Sequence, residues 1–181
     1  MSRKSAREKI QLEHDAAKIF MRRFEAKTGK IIRDIIHNEP AKPDVTCHLE
    51  GENLDLEIAH IYGSEAEAIQ ILGHYIDENT TIELKHLRTI QGAYNRLLTA
   101  LNRILLNKSK KYYVTEKVWL VLRNAHPAWT SEDIKALRTE ISIPENHPFD
   151  QIWIIGDFTG DSDIVRLYPA NPPKTADFCP L

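Results

Sequence analysis

The sequence predicts an α/β (α+β) domain in which a mixed sheet is flanked by helices. Alternating apolar and polar residues on both sides of a turn at Gly51 indicate a β-hairpin over residues 44–59. A helical pattern from about residue 80 to residue 112 then precedes Val118–Leu122, a continuous apolar run typical of a central strand. Because a strand that follows a helical crossover lies parallel to a sheet neighbour, the sheet is expected to be mixed.

Local patterns predict the other elements. An amphipathic helix over residues 5–28 ends at Gly29. A capping box at Ser64 predicts a short helix up to about Gly73, and Thr130 opens another helix that ends near Glu140. The predicted order is therefore α-β-β-β-α-α-β-α-β-β, with the remaining strands over Lys30–Ile36, Gln151–Ile155 and Ile164–Tyr168 and an irregular proline-rich tail over Pro169–Leu181.

Composition restricts the protein class. The chain has 181 residues, enough for one domain with a real core, and a net charge of −2, so no global basic field indicates nucleic-acid binding. The two cysteines, Cys47 and Cys179, are far apart and lack metal-type spacing, which fits a reduced compartment. No apolar run is long enough to span a bilayer, so we expect a cytoplasmic protein with no membrane partner.

Two carboxylates share the polar face of the predicted hairpin. With Glu50–Asn53 as a four-residue turn, Thr46 lies opposite Glu57, and Asp44 is the diagonal neighbour of Glu57, roughly 7–8 Å away at the backbone. Carboxylates that converge there repel each other unless a cation lies between them. A hard divalent ion such as Mg²⁺ is the expected occupant.

The order of elements and these acids resemble the PD-(D/E)XK, or restriction-endonuclease-like, superfamily, whose core is α-β-β-β-α-β. Pro43-Asp44 matches the P-D of the family motif, and Glu57-Ile58-Ala59 matches its (D/E)-x-K, with alanine in place of lysine. The resemblance covers roughly Glu8 to Leu122. It implies one restriction-endonuclease-like domain over residues 1–181, with a core of about 8–122 and a C-terminal extension, 123–181, whose last two strands are peripheral additions.

The resemblance also implies a function and its residues. The chain would be a nuclease that hydrolyses phosphodiester bonds in DNA with Mg²⁺ or Mn²⁺, which activates water and neutralises charge on the scissile phosphate. Asp44 and Glu57 would ligate the metal, with the Ile58 carbonyl as a third ligand. Glu13, on the inward stripe of the first helix, matches the family's helix glutamate and would bind a second ion or a water. Nucleases of this fold often act as dimers, so a homodimer is an expected partner arrangement.

The missing motif lysine leaves open which residue replaces it. Lys108 is the first candidate, because it lies one helical turn beyond Leu105 on the inward stripe of the long helix. His60 is the second, although strand alternation sends its side chain to the opposite face from Glu57 unless the strand has ended.

Other functions remain open at this point. A catalytically inactive member of the same fold would serve as a nucleic-acid-binding or protein-interaction module. A metal-independent structural or assembly protein would leave its acids solvated. Basic residues on the first helix, among them Arg22, Arg23 and Lys27, would contact phosphate or form a solvated face.

Overall fold

The computed structural model describes residues 3–38, 43–62, 92–126 and 129–170. The predicted helix at Ser64–Gly73 and the first part of the predicted long helix lie outside these ranges. The described elements, in chain order, are α1 (Arg3–Thr28), β1 (Ile32–His37), β2 (Val45–Leu49), β3 (Glu52–Ile61), α2 (Ala93–Ser109), β4 (Val118–Asn124), α3 (Ser131–Ala136), β5 (Gln151–Ile155) and β6 (Ile164–Tyr168). Within the same ranges, no helix is long and apolar enough to cross a bilayer.

One six-stranded mixed sheet runs in the order β1-β2-β3-β4-β5-β6. The first three strands form antiparallel pairs, β4 lies parallel to both β3 and β5, and β6 closes the sheet antiparallel to β5. This confirms the predicted mixed sheet with flanking helices. The apolar run of β4 is buried along its whole length, because helices cover both faces of the sheet there.

The hairpin between β2 and β3 has a tighter turn than the sequence predicts. Leu49 pairs directly with Glu52, so the turn has two residues, Glu50 and Gly51, both with positive φ, at 54° and 89°. The predicted register, with Thr46 opposite Glu57, is wrong, since Thr46 pairs with Asp55. Glu50 adopts its unusual conformation because its backbone N–H donates to the Ile31 carbonyl and its side chain accepts from the Ile31 N–H at 2.5 Å.

Two apolar layers form the core, one on each face of the sheet. On one face, Phe20 and Phe24 of α1 pack against Trp119 and Trp153, with ring centroids 5.3–6.3 Å apart. On the other face, α2 and α3 cover the alternate side chains of β3, β4 and β5. Trp119 and Trp153 are therefore core residues. Each face of the sheet is covered by a helix that carries a candidate site residue, Glu13 on α1 and Lys108 on α2.

The last two strands belong to this core and are not peripheral additions. β5 lies between β4 and β6 and buries Trp153 against α1. Arg22 and Arg23 of α1 donate to the Gly160 carbonyl in the β5–β6 loop, and Lys27 forms an ion pair with Asp163 at 2.6 Å. These basic side chains therefore bind α1 to the C-terminal strands, while Arg22 and Lys27 remain exposed to solvent.

Candidate active site

Asp44 and Glu57 face each other across the hairpin. Val45 pairs with Leu56, and one further step in this register sets Asp44 directly opposite Glu57, where the sequence predicts a diagonal pair. The Asp44 carboxylate accepts a hydrogen bond from the Ile58 N–H at 2.8 Å, which fixes it against β3. Glu57 is only 2% exposed, so its carboxylate requires partners inside the protein.

Two lysines from the end of α2 supply these partners. The ammonium of Lys108 lies 2.5 Å from Glu57 Oε1 and 3.4 Å from the Ile58 carbonyl oxygen. The ammonium of Lys111 lies 2.8 Å from the same Glu57 oxygen. α2 ends at Ser109, three residues before the predicted end, and the Lys111 N–H donates to the Lys108 carbonyl. This turn directs Lys111 back toward β3, a contact that the sequence analysis missed.

The charge of Glu57 depends on both lysines. Burial alone would raise the pKa of this carboxyl, but Lys108 and Lys111 together hold the pKa below its ordinary value. Glu57 in turn raises the pKa of Lys111 against the opposing effect of burial. Glu57 and Lys111 therefore stabilise each other's charged forms.

Glu13 and Asp44 are held differently. Glu13 faces inward from α1 as its helical stripe predicts, is 6% exposed, and forms an ion pair with Lys9 at 3.2 Å. Burial and the nearby Asp44 raise the pKa of Glu13, and burial and Glu57 raise the pKa of Asp44. The three predicted acids thus lie close enough to repel one another. Glu13 and Glu57 are buried, whereas Asp44 is partly exposed.

Because residue 59 is alanine, Lys108 of α2 can reach Glu57 in place of a lysine on β3. Residue 59 shares a sheet face with Glu57, and Ala59 is buried there against the apolar side of α2. Lys108 extends this apolar side by one turn beyond Leu105, so its ammonium reaches Glu57 on the face where a motif lysine would project.

His60 does not provide an alternative cation. β3 continues to Ile61, so the His60 side chain lies on the α1 face, away from Lys108. Burial and the nearby Arg123 lower the pKa of His60 to about 3, which keeps the imidazole neutral at physiological pH.

Tyr113 is a second residue that sequence reasoning missed. Its ring packs against Phe149, and its buried hydroxyl lies within hydrogen-bonding reach of the Glu57 carboxylate. Burial and the neighbouring Glu57 raise the pKa of this hydroxyl, so it remains a neutral donor close to the acids. Its position two residues after Lys111 is the only sequence signal for it.

The arrangement combines hard oxygen donors with a buried ammonium group. The oxygen donors can bind a cation, and the ammonium group can bind a phosphate. Across residues 3–38, 43–62, 92–126 and 129–170, no group of three or more histidine, cysteine, aspartate or glutamate side chains is close enough to form a ready metal site. Both lysines instead pair directly with Glu57.

No protein-family model, curated protein or solved structure matches this chain.

Proposed function

We propose that the protein is a metal-dependent nuclease of the PD-(D/E)XK type that hydrolyses phosphodiester bonds in DNA. The observation that carries this proposal is the contact of Lys108 with Glu57 and the Ile58 carbonyl, opposite Asp44. An aspartate, a glutamate and a lysine meet there from β2, β3 and α2. The mixed sheet and the helix glutamate, Glu13, agree with the same assignment.

The donors fit a hard divalent cation. Asp44, Glu57 and the Ile58 carbonyl would hold Mg²⁺ or Mn²⁺, and Glu13 would hold a second ion or a water molecule. Two features support this fit: the burial and mutual repulsion that raise the pKa of Asp44 and Glu13, and the single ammonium that already contacts both Glu57 and the Ile58 carbonyl. Bound metal would supply an acidified water and charge neutralisation at the phosphate.

The side chains of the chain itself would position the reactants. The Lys108 ammonium lies 18% exposed at the edge of the acid pair, where it can donate to a phosphate oxygen or to the attacking water. The neutral Tyr113 hydroxyl would help to hold the Glu57 carboxylate in place. Glu57 holds the Lys108 ammonium in place through the 2.5 Å contact.

A cleavage assay tests the proposal. Plasmid and linear DNA are incubated with Mg²⁺, Mn²⁺ or EDTA and with wild type, Asp44→Asn or Glu57→Gln. We expect metal-dependent cleavage that each substitution lowers by at least about 100-fold, the size of the loss when one electrostatic stabiliser of a transition state is removed. Asp55→Asn is the matched control, because Asp55 lies on the same face of β3 as Glu57 but accepts a hydrogen bond from the Thr46 hydroxyl. Cleavage that persists in both site variants would contradict the proposal.

A non-catalytic member of the same fold is the second candidate. It is favoured by the two lysines on Glu57, which neutralise the buried carboxylate without any metal. Such a protein would bind nucleic acid or another protein without cleaving DNA. Binding of DNA in the absence of cleavage, unchanged by EDTA, would support this candidate over the first.

A further inference from the structure

Two ammonium groups share one oxygen of Glu57. Lys108 lies 2.5 Å and Lys111 2.8 Å from Oε1. We propose that Lys111 is a displaceable counterion, which neutralises Glu57 in the metal-free protein, leaves when a divalent cation binds, and then contacts substrate phosphate. This inference rests on the proposed function, because it assumes a cation site at Glu57.

The oxygen has no room for a third cation. A carboxylate oxygen offers about two lone-pair directions, and the two lysines use both. Mg²⁺ binds oxygen at about 2.0–2.1 Å and requires near-octahedral geometry, which an adjacent ammonium would disturb. Charge adds to this conflict, since a divalent ion beside two ammonium groups is repelled by both. A cation that binds at Oε1 therefore requires at least one lysine to withdraw.

Lys111 is the lysine that can withdraw. Its side chain is 51% exposed, against 18% for Lys108, so water is available to solvate the released ammonium. Lys108 also contacts the Ile58 carbonyl and lies within α2, whereas Lys111 follows the end of the helix. A half-exposed ion pair is worth little, so releasing Lys111 costs much less than releasing Lys108.

The released ammonium remains beside the site. Lys111 and the exposed Lys110 are neighbours at the end of α2, on the solvent side of Glu57. A lysine is a compact point charge that binds phosphate oxygens well. Lys111 therefore exchanges a carboxylate partner for a phosphate partner, and metal binding prepares the protein for the substrate.

The test measures Mn²⁺ affinity directly by calorimetry on catalytically competent protein without DNA. Wild type is compared with Lys111→Met and with Lys110→Met, which removes the same charge from the neighbouring residue but leaves Glu57 and its partners intact. We expect Lys111→Met to bind Mn²⁺ about 2- to 5-fold more tightly than wild type, the range that corresponds to a half-exposed ion pair. Lys110→Met should bind Mn²⁺ like wild type.

A second measurement follows the phosphate contact. The KM for DNA should rise about 2- to 5-fold in Lys111→Met. A Mn²⁺ affinity that is unchanged or weaker in Lys111→Met overturns the counterion role while leaving the nuclease proposal intact. Equal gains in Lys111→Met and Lys110→Met also overturn it, because they would indicate a general charge effect. Failure of all three proteins to bind Mn²⁺ overturns the proposed function itself.

Discussion

Replacement of Lys108 by methionine should destabilise the protein in a pH-dependent way. Methionine preserves the length and the apolar part of the side chain, so the change removes mainly the ammonium. Removing one partner of a buried ion pair costs about 3–5 kcal/mol, because the other charge stays buried. Lys111 remains on Glu57 and, being half exposed, offsets about 1 kcal/mol of this. The expected loss in the free energy of unfolding is therefore about 2–4 kcal/mol at neutral pH.

The pH dependence follows from the pKa of Glu57. In wild type its folded-state pKa is lowered, so Glu57 contributes stability above the unfolded-state pKa and loses it as the pH falls through the folded value. Without Lys108, burial dominates and the folded-state pKa moves upward, so the ionised carboxylate destabilises the fold as the pH rises. The loss caused by Lys108→Met should thus be smaller near about pH 4 than at neutral pH, and it should shrink further as the pH falls through the folded-state pKa of wild type.

Urea denaturation at about pH 7.5 and about pH 4 measures both values. Lys110→Met is the matched control, since this exposed lysine follows α2 directly, and it should change stability by less than about 0.5 kcal/mol. A loss below about 1 kcal/mol at neutral pH, or an equal loss at both pH values, would refute the reasoning that Lys108 neutralises a buried Glu57.

One further prediction concerns Gly160, in the β5–β6 loop that contacts α1, and another concerns the acids of the site. Gly160 has φ 76°, and a Cβ there would collide with the Ile19 side chain, so Gly160→Ala should cost about 2–4 kcal/mol in thermal unfolding. Gly29→Ala, with φ 72° but no neighbour within 4 Å, should cost only about 1 kcal/mol, and equal losses would exclude the steric clash. Because the pKa values of Asp44 and Glu13 are raised and metal ligands must be deprotonated, Mn²⁺ affinity should weaken as the pH falls from about 7.5 to about 4. A calorimetric Kd that stays constant over this range would contradict the predicted ligands.

Sequence patterns predict the strands of this fold well where neighbouring turns delimit them. The predicted bounds Gln151–Ile155 and Ile164–Tyr168 are confirmed, because each is a short apolar run bounded by turn residues. The placement of Lys108 and Glu13 on the inward faces of their helices is also confirmed, since helical periodicity decides it. The roles of these residues in catalysis stay predictions.

The register of the hairpin and the end of α2 depend on contacts between distant residues. A left-handed Glu50 is unusual, and it is stabilised by Ile31, nineteen residues away in the chain. Likewise, helix propensity alone would extend α2 to Tyr112, whereas the helix ends at Ser109 and Lys111 binds Glu57. Local sequence contains neither partner, so the two-residue turn and the second lysine were not predictable from it.

The contacts between α1 and the β5–β6 loop bear on how the protein can be divided. α1 carries Glu13, yet the carboxyl-terminal half of this helix is anchored through Gly160 and Trp153, which follow the motif-bearing strands by about a hundred residues. Truncation after β4 would expose Phe20 and Phe24 and release the helix. We therefore expect that the segment of about residues 8–122, which resembles a nuclease core, does not fold on its own. Removing the residues after β4 would misplace Glu13, which lies far from the cut in the sequence.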